Sequence, residues 1–190
     1  MSPADQATSP RERLLAGAIE HVSQHGVGEI SLRQLAAALG TSHRMLLYHF
    51  GSREALLIEV IRTVEEQQRA ALAQILEEEA DAPPQEIMRR MWARVADPVL
   101  WPNERLFFEV YAQALQGSPH ALPLLDGIVD AWVDPLARLV APGKPEAEAR
   151  AQARLGVAVV RGLLLDLLAT GDREAVDAAM ERYIAAVAPV

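Results

Sequence analysis

Apolar residues recur every three or four positions along this 190-residue chain, and alternating apolar and polar runs of Val, Ile and Thr are missing. That spacing predicts an all-helical protein. Leu14, Leu15, Ala18, Ile19 and Val22 mark one face of a first helix. Ser9 stands as its N-cap with Pro10 at the first helical position, and Gly26 and Gly28 end it. Ser31 caps a short second helix with Leu32, Leu35, Ala36 and Leu39 inward, broken by Gly40. Ser42 caps a third, about two turns long, with Leu46 and Phe50 inward and Gly51 at its end. Ser52 caps a long fourth helix running from Arg53 to Glu79.

Prolines punctuate the rest. After Ala82-Pro83-Pro84 a fifth helix covers Gln85 to Ala96, and Pro98 and Pro102 bracket a turn. Asn103 is expected to cap a sixth helix reaching Gln116. The next pattern spans Leu122 to Val140, and Pro135 is expected to kink or split it. Pro145 opens a helix that stops at Thr170-Gly171. Asp172 caps the last, whose stripe is Val176, Ala179, Met180, Tyr183, Ile184 and Val187. The expectation is about nine helices in two units, residues 1–52 and residues 53–190, with no internal repeat.

Charge changes the picture of what the two units meet. The formal net charge is -8, which argues against a nonspecific polyanion binder. Residues 1–53 hold five arginines against four acids and four of the five histidines, whereas the remainder holds 13 basic against 22 acidic residues. An anionic partner would therefore meet the N-terminal segment. There is no cysteine, so disulfides, thiolate metal sites and cysteine nucleophiles are excluded. Residues 1–13 are polar, without the apolar run of a signal peptide. Leu155 to Leu168 is too short to span a bilayer and carries Arg161 and Asp166. A cytoplasmic location, without membrane attachment, is expected.

Helix, glycine turn and short helix within residues 31–50 form the layout of a helix-turn-helix. With Leu35, Ala36, Leu39, Leu46 and Phe50 packed inward, His43, Arg44, Met45, Leu47 and Tyr48 remain on the outer and N-terminal side of the third helix. Arg44 can donate a bidentate fork to guanine, and Met45 or Leu47 can touch a thymine methyl. Ser42, Tyr48, His49 and Arg53 are side chains that donate to phosphate, aided by the dipole at the start of the fourth helix. The alternative is an ordinary solvated helix edge.

The stretches "ISLRQLAAALG" (Ile30 to Gly40) and "YHFGSREALL" (Tyr48 to Leu57) resemble the DNA-binding domain of the TetR family of bacterial transcriptional regulators. The resemblance covers about a quarter of the chain by motif. It implies a homodimer on a palindromic double-stranded operator, repression rather than activation, and an effector-binding body. It aligns Arg33 with a position that reaches a base in some members, and Arg53 with a basic phosphate contact. One departure is plain: the family usually places a phosphate-binding tyrosine where this chain has Leu47, and Tyr48 follows one residue later.

In the body, Trp92, Trp101, Phe107, Phe108, Tyr111 and Trp132 gather with Met88 and Met91 in the middle helices. These eight are candidates for an apolar effector cavity, with Glu109, Tyr111 and Gln113 as its polar groups; plain core packing is the alternative. The run Leu155 to Leu165 is apolar on nearly every side and must be buried all round. Leu155, Val159, Gly162, Leu163, Val176, Met180 and Tyr183 are therefore candidates for a dimer interface, against the alternative of a helix central to one chain's core. Arg161 and Asp166 inside that apolar helix call for partners across an interface or on backbone groups.

His21 and His25 have a one-turn metal spacing but no third ligand, so no metal and no cofactor is expected. No glycine-rich phosphate loop and no nucleophile elbow is present, and an enzyme is not expected. The rival reading is a helical adaptor that binds protein and not DNA.

Overall fold

The computed structural model describes residues 9–25, 31–78, 82–140 and 143–187. Among them there is no strand, and nine α-helices follow one another. They are α1 (Pro10–His25), α2 (Leu32–Ala38), α3 (His43–Phe50), α4 (Arg53–Glu78), α5 (Pro84–Val95), α6 (Trp101–Leu115), α7 (Asp130–Val140), α8 (Glu146–Thr170) and α9 (Arg173–Val187). Short 3-10 turns at Pro98–Leu100 and Leu122–Leu125 precede α6 and α7. Gly26 and Gly28, expected to end α1, lie outside the described residues, as does Glu79 at the expected end of α4.

The helix starts follow from side-chain capping. Ser9 Oγ accepts from the Glu12 amide while the Glu12 carboxylate accepts from the Ser9 amide, a reciprocal box that also holds the Glu12 carboxyl below its usual range. Ser31 and Gln34 repeat the box at α2. Ser42, Ser52 and Asp172 each accept from the amide three residues on, opening α3, α4 and α9. At the end of α3, Gly51 adopts φ 79° and its amide donates to the Leu47 carbonyl at 2.8 Å. A Cβ is disfavoured at that φ. Gly51→Ala should therefore destabilise the protein by about 1–2 kcal/mol, read as a lower denaturant midpoint with unchanged slope.

Two expected boundaries move. Asn103 caps nothing: α6 begins at Trp101, with Pro102 in its first turn, and Asn103 is buried. Its amide nitrogen donates to Ser23 Oγ at 2.9 Å and ties α6 to α1. Tertiary contact has taken a residue that capping chemistry would have placed at the helix end. The segment from Leu122 to Val140 breaks at Asp126–Val129, where Gly127 takes φ 70°, and not at Pro135. Pro135 sits inside α7, where it removes one backbone donor without ending the helix.

One buried cluster joins the N-terminal helices to the body. Ala18 and Val22 of α1, Leu35 and Ala36 of α2 and Leu46 and Phe50 of α3 pack on Leu56, Leu57, Val60 and Ile61 of α4. The same cluster continues through Leu106, Phe107 and Val110 of α6. A second cluster gathers Trp92 and Val95 of α5, Leu164 and Leu167 of α8, and Val176, Met180 and Ile184 of α9. Among the described residues no helix is long and apolar enough to cross a membrane.

Candidate DNA-reading face and interior cavity

α3 turns two faces in opposite directions. Leu46 and Phe50 are buried, as their spacing requires, and His43, Arg44, Met45, Leu47 and Tyr48 are exposed. Tyr48 is 79% exposed, so its hydroxyl is free to reach outward although it follows the usual tyrosine position by one residue. Ser42 is exposed at the N-terminus of α3 and Arg33 is exposed on α2. All seven are open to solvent. His49 and Arg53 are half-buried. The His49 ring lies edge-on to Tyr48 and Phe50, and its Nε2 is buried without a hydrogen-bond partner among the described residues.

Behind this face, Arg11 of α1 donates to the His49 carbonyl at 3.3 Å, lies 5.1 Å over the Phe50 ring and pairs with Glu59 of α4. The end of α3 is thus held by α1 and α4 together. His21 and His25 stack with ring centroids 4.5 Å apart, and burial followed by the charge of His25 holds His21 below the ordinary histidine range.

Inside the body, α4 to α9 enclose a cavity of about 330 Å³. Of the eight aromatic and methionine candidates, Met88, Met91, Trp92, Phe107, Phe108 and Trp132 line it. Trp101 and Tyr111 do not. The Trp101 indole donates to the Ala96 carbonyl at 3.2 Å, and Tyr111 stacks on the far side of Phe107 with centroids 5.3 Å apart. Glu109 and Gln113, expected among the polar groups, are exposed and outside the cavity.

The polar groups that do line it are Glu65 and Gln68 of α4, Glu104 of α6, Gln152 and Arg161 of α8, Tyr183 of α9, and Lys144 in the loop before α8. Trp132 Nε1 donates to Glu65 at 2.5 Å, and Arg94 donates to Gln68 at 2.9 Å. Burial raises the Glu65 carboxyl despite that hydrogen bond and the charges of Arg161 and Arg69. Burial, aided by the charge of Glu65 and opposed by Arg161, pushes the Glu104 carboxyl up to about 8. Arg161 finds its partner on the backbone, donating to the Ile128 carbonyl at 3.1 Å, and lies over the Phe107 and Tyr111 rings.

A register signal for these groups exists in the sequence. Glu104 stands three and four residues before Phe107 and Phe108, in the apolar register of α6. Glu65 and Gln68 fall in line with Ile61 and Leu72 on α4.

The dimer candidates divide. Val176 and Met180 are buried within the chain, and Tyr183 is half-buried against the cavity. Val159 and Leu163 are half-buried against the second cluster. Leu155 and Gly162 point outward. Ala151, Leu155, Ala158, Gly162, Leu165 and Ala169 are all exposed and follow one another at intervals of four and three, a heptad-like stripe along α8. Leu155 is 51% and Leu165 53% exposed, so α8 is not buried all round in the single chain.

Residues 14–60 match a family model described as bacterial regulatory proteins, tetR family. No curated protein matches the chain in sequence. Among solved structures, a transcriptional regulator from Rhodococcus sp. Rha1 is similar with a TM-score of 0.77 at 20% identity, over 94% of this chain and 96% of that one. A TetR transcriptional regulator from Legionella pneumophila is similar with a TM-score of 0.72 at 18% identity, over 97% of this chain and 100% of that one. FadR of Thermus thermophilus, a TetR-family transcriptional repressor in complex with lauroyl-CoA, gives a TM-score of 0.65 at 18% identity, with 90% of each chain covered. At these identities the likeness carries the fold.

Proposed function

We propose that this chain, a TetR-family transcriptional regulator by its N-terminal domain and its fold, is a homodimeric repressor that leaves a palindromic operator when a small apolar or amphipathic effector enters the body. It would act in the cytoplasm, with residues 1–52 as the DNA-binding unit and residues 53–190 as the effector and dimerisation unit. The observation that carries the reading is α3, anchored by Leu46 and Phe50 and presenting Arg44, Met45, Leu47 and Tyr48 to solvent. In a major groove its N-terminal end supplies a guanidinium fork for guanine and methyl-sized contacts for thymine. Ser42, Tyr48, His49 and Arg53 would supply donors for phosphate, and Arg33 of α2, also exposed, would add a base contact.

Specific binding needs two such heads about 34 Å apart or a multiple of it. The exposed stripe of Leu155, Ala158, Gly162 and Leu165 supports pairing through α8, since small residues in that register let two helices approach closely. Tyr183 and the half-buried Val159 and Leu163 would support the pair from beneath, with Val176 and Met180 as its packed foundation.

The cavity supports the effector reading through α4. Its N-terminal turns pack Leu56, Leu57, Val60 and Ile61 under the DNA-reading head, and the turns that follow carry Glu65, Gln68 and Leu72 into the cavity wall. A rigid 26-residue helix spans about 39 Å. A shift forced on its cavity end is thus delivered to the head, and a coupling of about 1–3 kcal/mol would suffice to release an operator. Trp101 and Tyr111 support the wall from behind its lining residues.

The test is binding of the purified protein to the DNA flanking its own gene across a salt series, backed by selection of bound genomic fragments. Salt-dependent, sequence-specific binding is expected. Arg44→Ala should weaken it by about 1–3 kcal/mol, roughly five- to 150-fold, while leaving thermal unfolding unchanged because Arg44 is exposed. A protein that selects no fragment over random DNA would sink the reading and favour a protein-binding adaptor.

A further inference from the structure

The cavity wall holds two acids that are satisfied very differently. Glu65 accepts from the Trp132 indole at 2.5 Å, and Arg69 stands 3.8 Å away. Glu104 is 8% exposed and lines the cavity, and its carboxyl is governed by burial and by the charges of Glu65 and Arg161 rather than by a hydrogen bond. A buried polar group in this condition needs a partner from outside the chain. Arg161 also lines the wall and its charge acts on Glu104, but it forms no ion pair with that carboxyl: it donates to the Ile128 carbonyl and lies over Phe107 and Tyr111 at 5.2 and 5.6 Å. Lys144 is exposed at the cavity's rim.

From this geometry we infer that the cavity takes an organic cation, with an amine or quaternary ammonium head set against Glu104 and an apolar body against Trp92, Phe107 and Phe108. The inference rests on the reading of the cavity as an effector site. A cation supplies the charge that Glu104 lacks, and aromatic walls favour it further. A purely apolar ligand would seal Glu104 away from water without a partner. An anionic head would gain from Arg161 and Lys144 but meet repulsion from the Glu65 and Glu104 carboxylates where these are ionised.

The cation should also draw a proton off the site. The Glu104 carboxyl, pushed up to about 8, is largely protonated at neutral pH. Glu65 from α4 and Arg161 from α8 are the charged groups acting on it, with Lys144 and Tyr183 lining the same chamber. Burial raises the Tyr183 hydroxyl, so that group stays neutral in this range. Binding a permanent cation favours the ionised carboxylate and releases its proton. Affinity should therefore rise as pH climbs toward and past the Glu104 value.

The experiment follows tryptophan fluorescence of the full chain, since Trp92 and Trp132 line the cavity. The probes are benzyldimethyloctylammonium, neutral N-octylbenzamide and anionic dodecanoate, all below their aggregation limits. The cation should bind at least about tenfold more tightly than either of the others. Its affinity should rise several-fold from about pH 6 to about pH 8.5. Glu104→Gln should lose about tenfold or more for the cation, flatten the pH dependence and leave N-octylbenzamide unchanged. Glu104→Asp, which keeps the charge, should retain the cation preference.

If dodecanoate or N-octylbenzamide binds as tightly as the cation, or Glu104→Gln leaves cation affinity intact, the inference is overturned and the effector cavity stands. If none of the three binds, the inference is also overturned. The regulator reading is then judged separately by duplex binding of the ligand-free protein.

Discussion

Replacing Leu46 with alanine should destabilise the protein by about 2–5 kcal/mol and abolish specific DNA binding at 37 °C. Leu46 is fully buried where α3 meets α2 and α4, in a cluster with Leu35, Ala36, Phe50 and Leu56. The head consists of short helices, so it has little other apolar surface to hold the recognition helix in place. The cavity left by three lost carbons adds to the lost transfer energy, because the surrounding helices collapse only partly. Urea denaturation measures the stability loss, and amide exchange in α3 locates it. Protection in α3 equal to that of the parent protein would contradict this account of the head. Arg44→Ala is the informative contrast, because it should weaken DNA binding at unchanged stability.

The second large effect is a pH-dependent gain in stability from Glu104→Gln. In the unfolded chain a glutamate carboxyl ionises near 4.5, while in the folded protein Glu104 holds its proton up to about 8. Between those values the folded state binds a proton that the unfolded state has released. Stability of the parent protein therefore falls as pH rises through this window, and the loss levels off above it. Glutamine resembles the protonated acid in shape and polarity and has no such dependence. The variant should match its parent near the lower limit and exceed it by roughly 2–5 kcal/mol above the upper one. Denaturant midpoints across the range read this directly, and parallel pH profiles for the two proteins would refute it. Glu65 is raised in the same direction and is coupled to Glu104, so its own titration should also ease in the variant and add to the difference at high pH.

The buried Glu104 carboxylate costs stability at alkaline pH, and the proposed cation would offset that cost. The acid that destabilises the empty cavity is the one an incoming ligand would satisfy, so binding energy and conformational bias share one group. Its neighbour on α4, Glu65, belongs to the helix that also packs under the head. Under the proposed function, a change of charge at the cavity would act on the helix that also packs under the head.

What the sequence by itself determined is the local chemistry. Ser9, Ser31, Ser42, Ser52 and Asp172 open helices because their caps act within three residues of themselves. Gly51 ends α3 for the same local reason. In an eight-residue helix, Leu46 and Phe50 can only face one way, so the outward set of His43, Arg44, Leu47 and Tyr48 follows without knowledge of the body.

Only the tertiary structure decided which residues meet over long distances. Asn103 has the chemistry of a cap, yet its partner is Ser23, eighty positions away. The segment before α7 yields at Gly127 because a turn there lets Leu124 and Ile128 enter the core, while Pro135 is accommodated inside the helix. Periodicity gave α8 an apolar surface on several sides, but the packing of α5, α7 and α9 chose the sides to cover and left Leu155 and Leu165 outside.

The cavity depends most on this. Glu65, Glu104 and Arg161 come from three helices, and in sequence each looks like one more charge among 44. Periodicity defines a helix face, and only packing against a neighbour decides whether a carboxylate on that face meets water, a partner or an empty chamber.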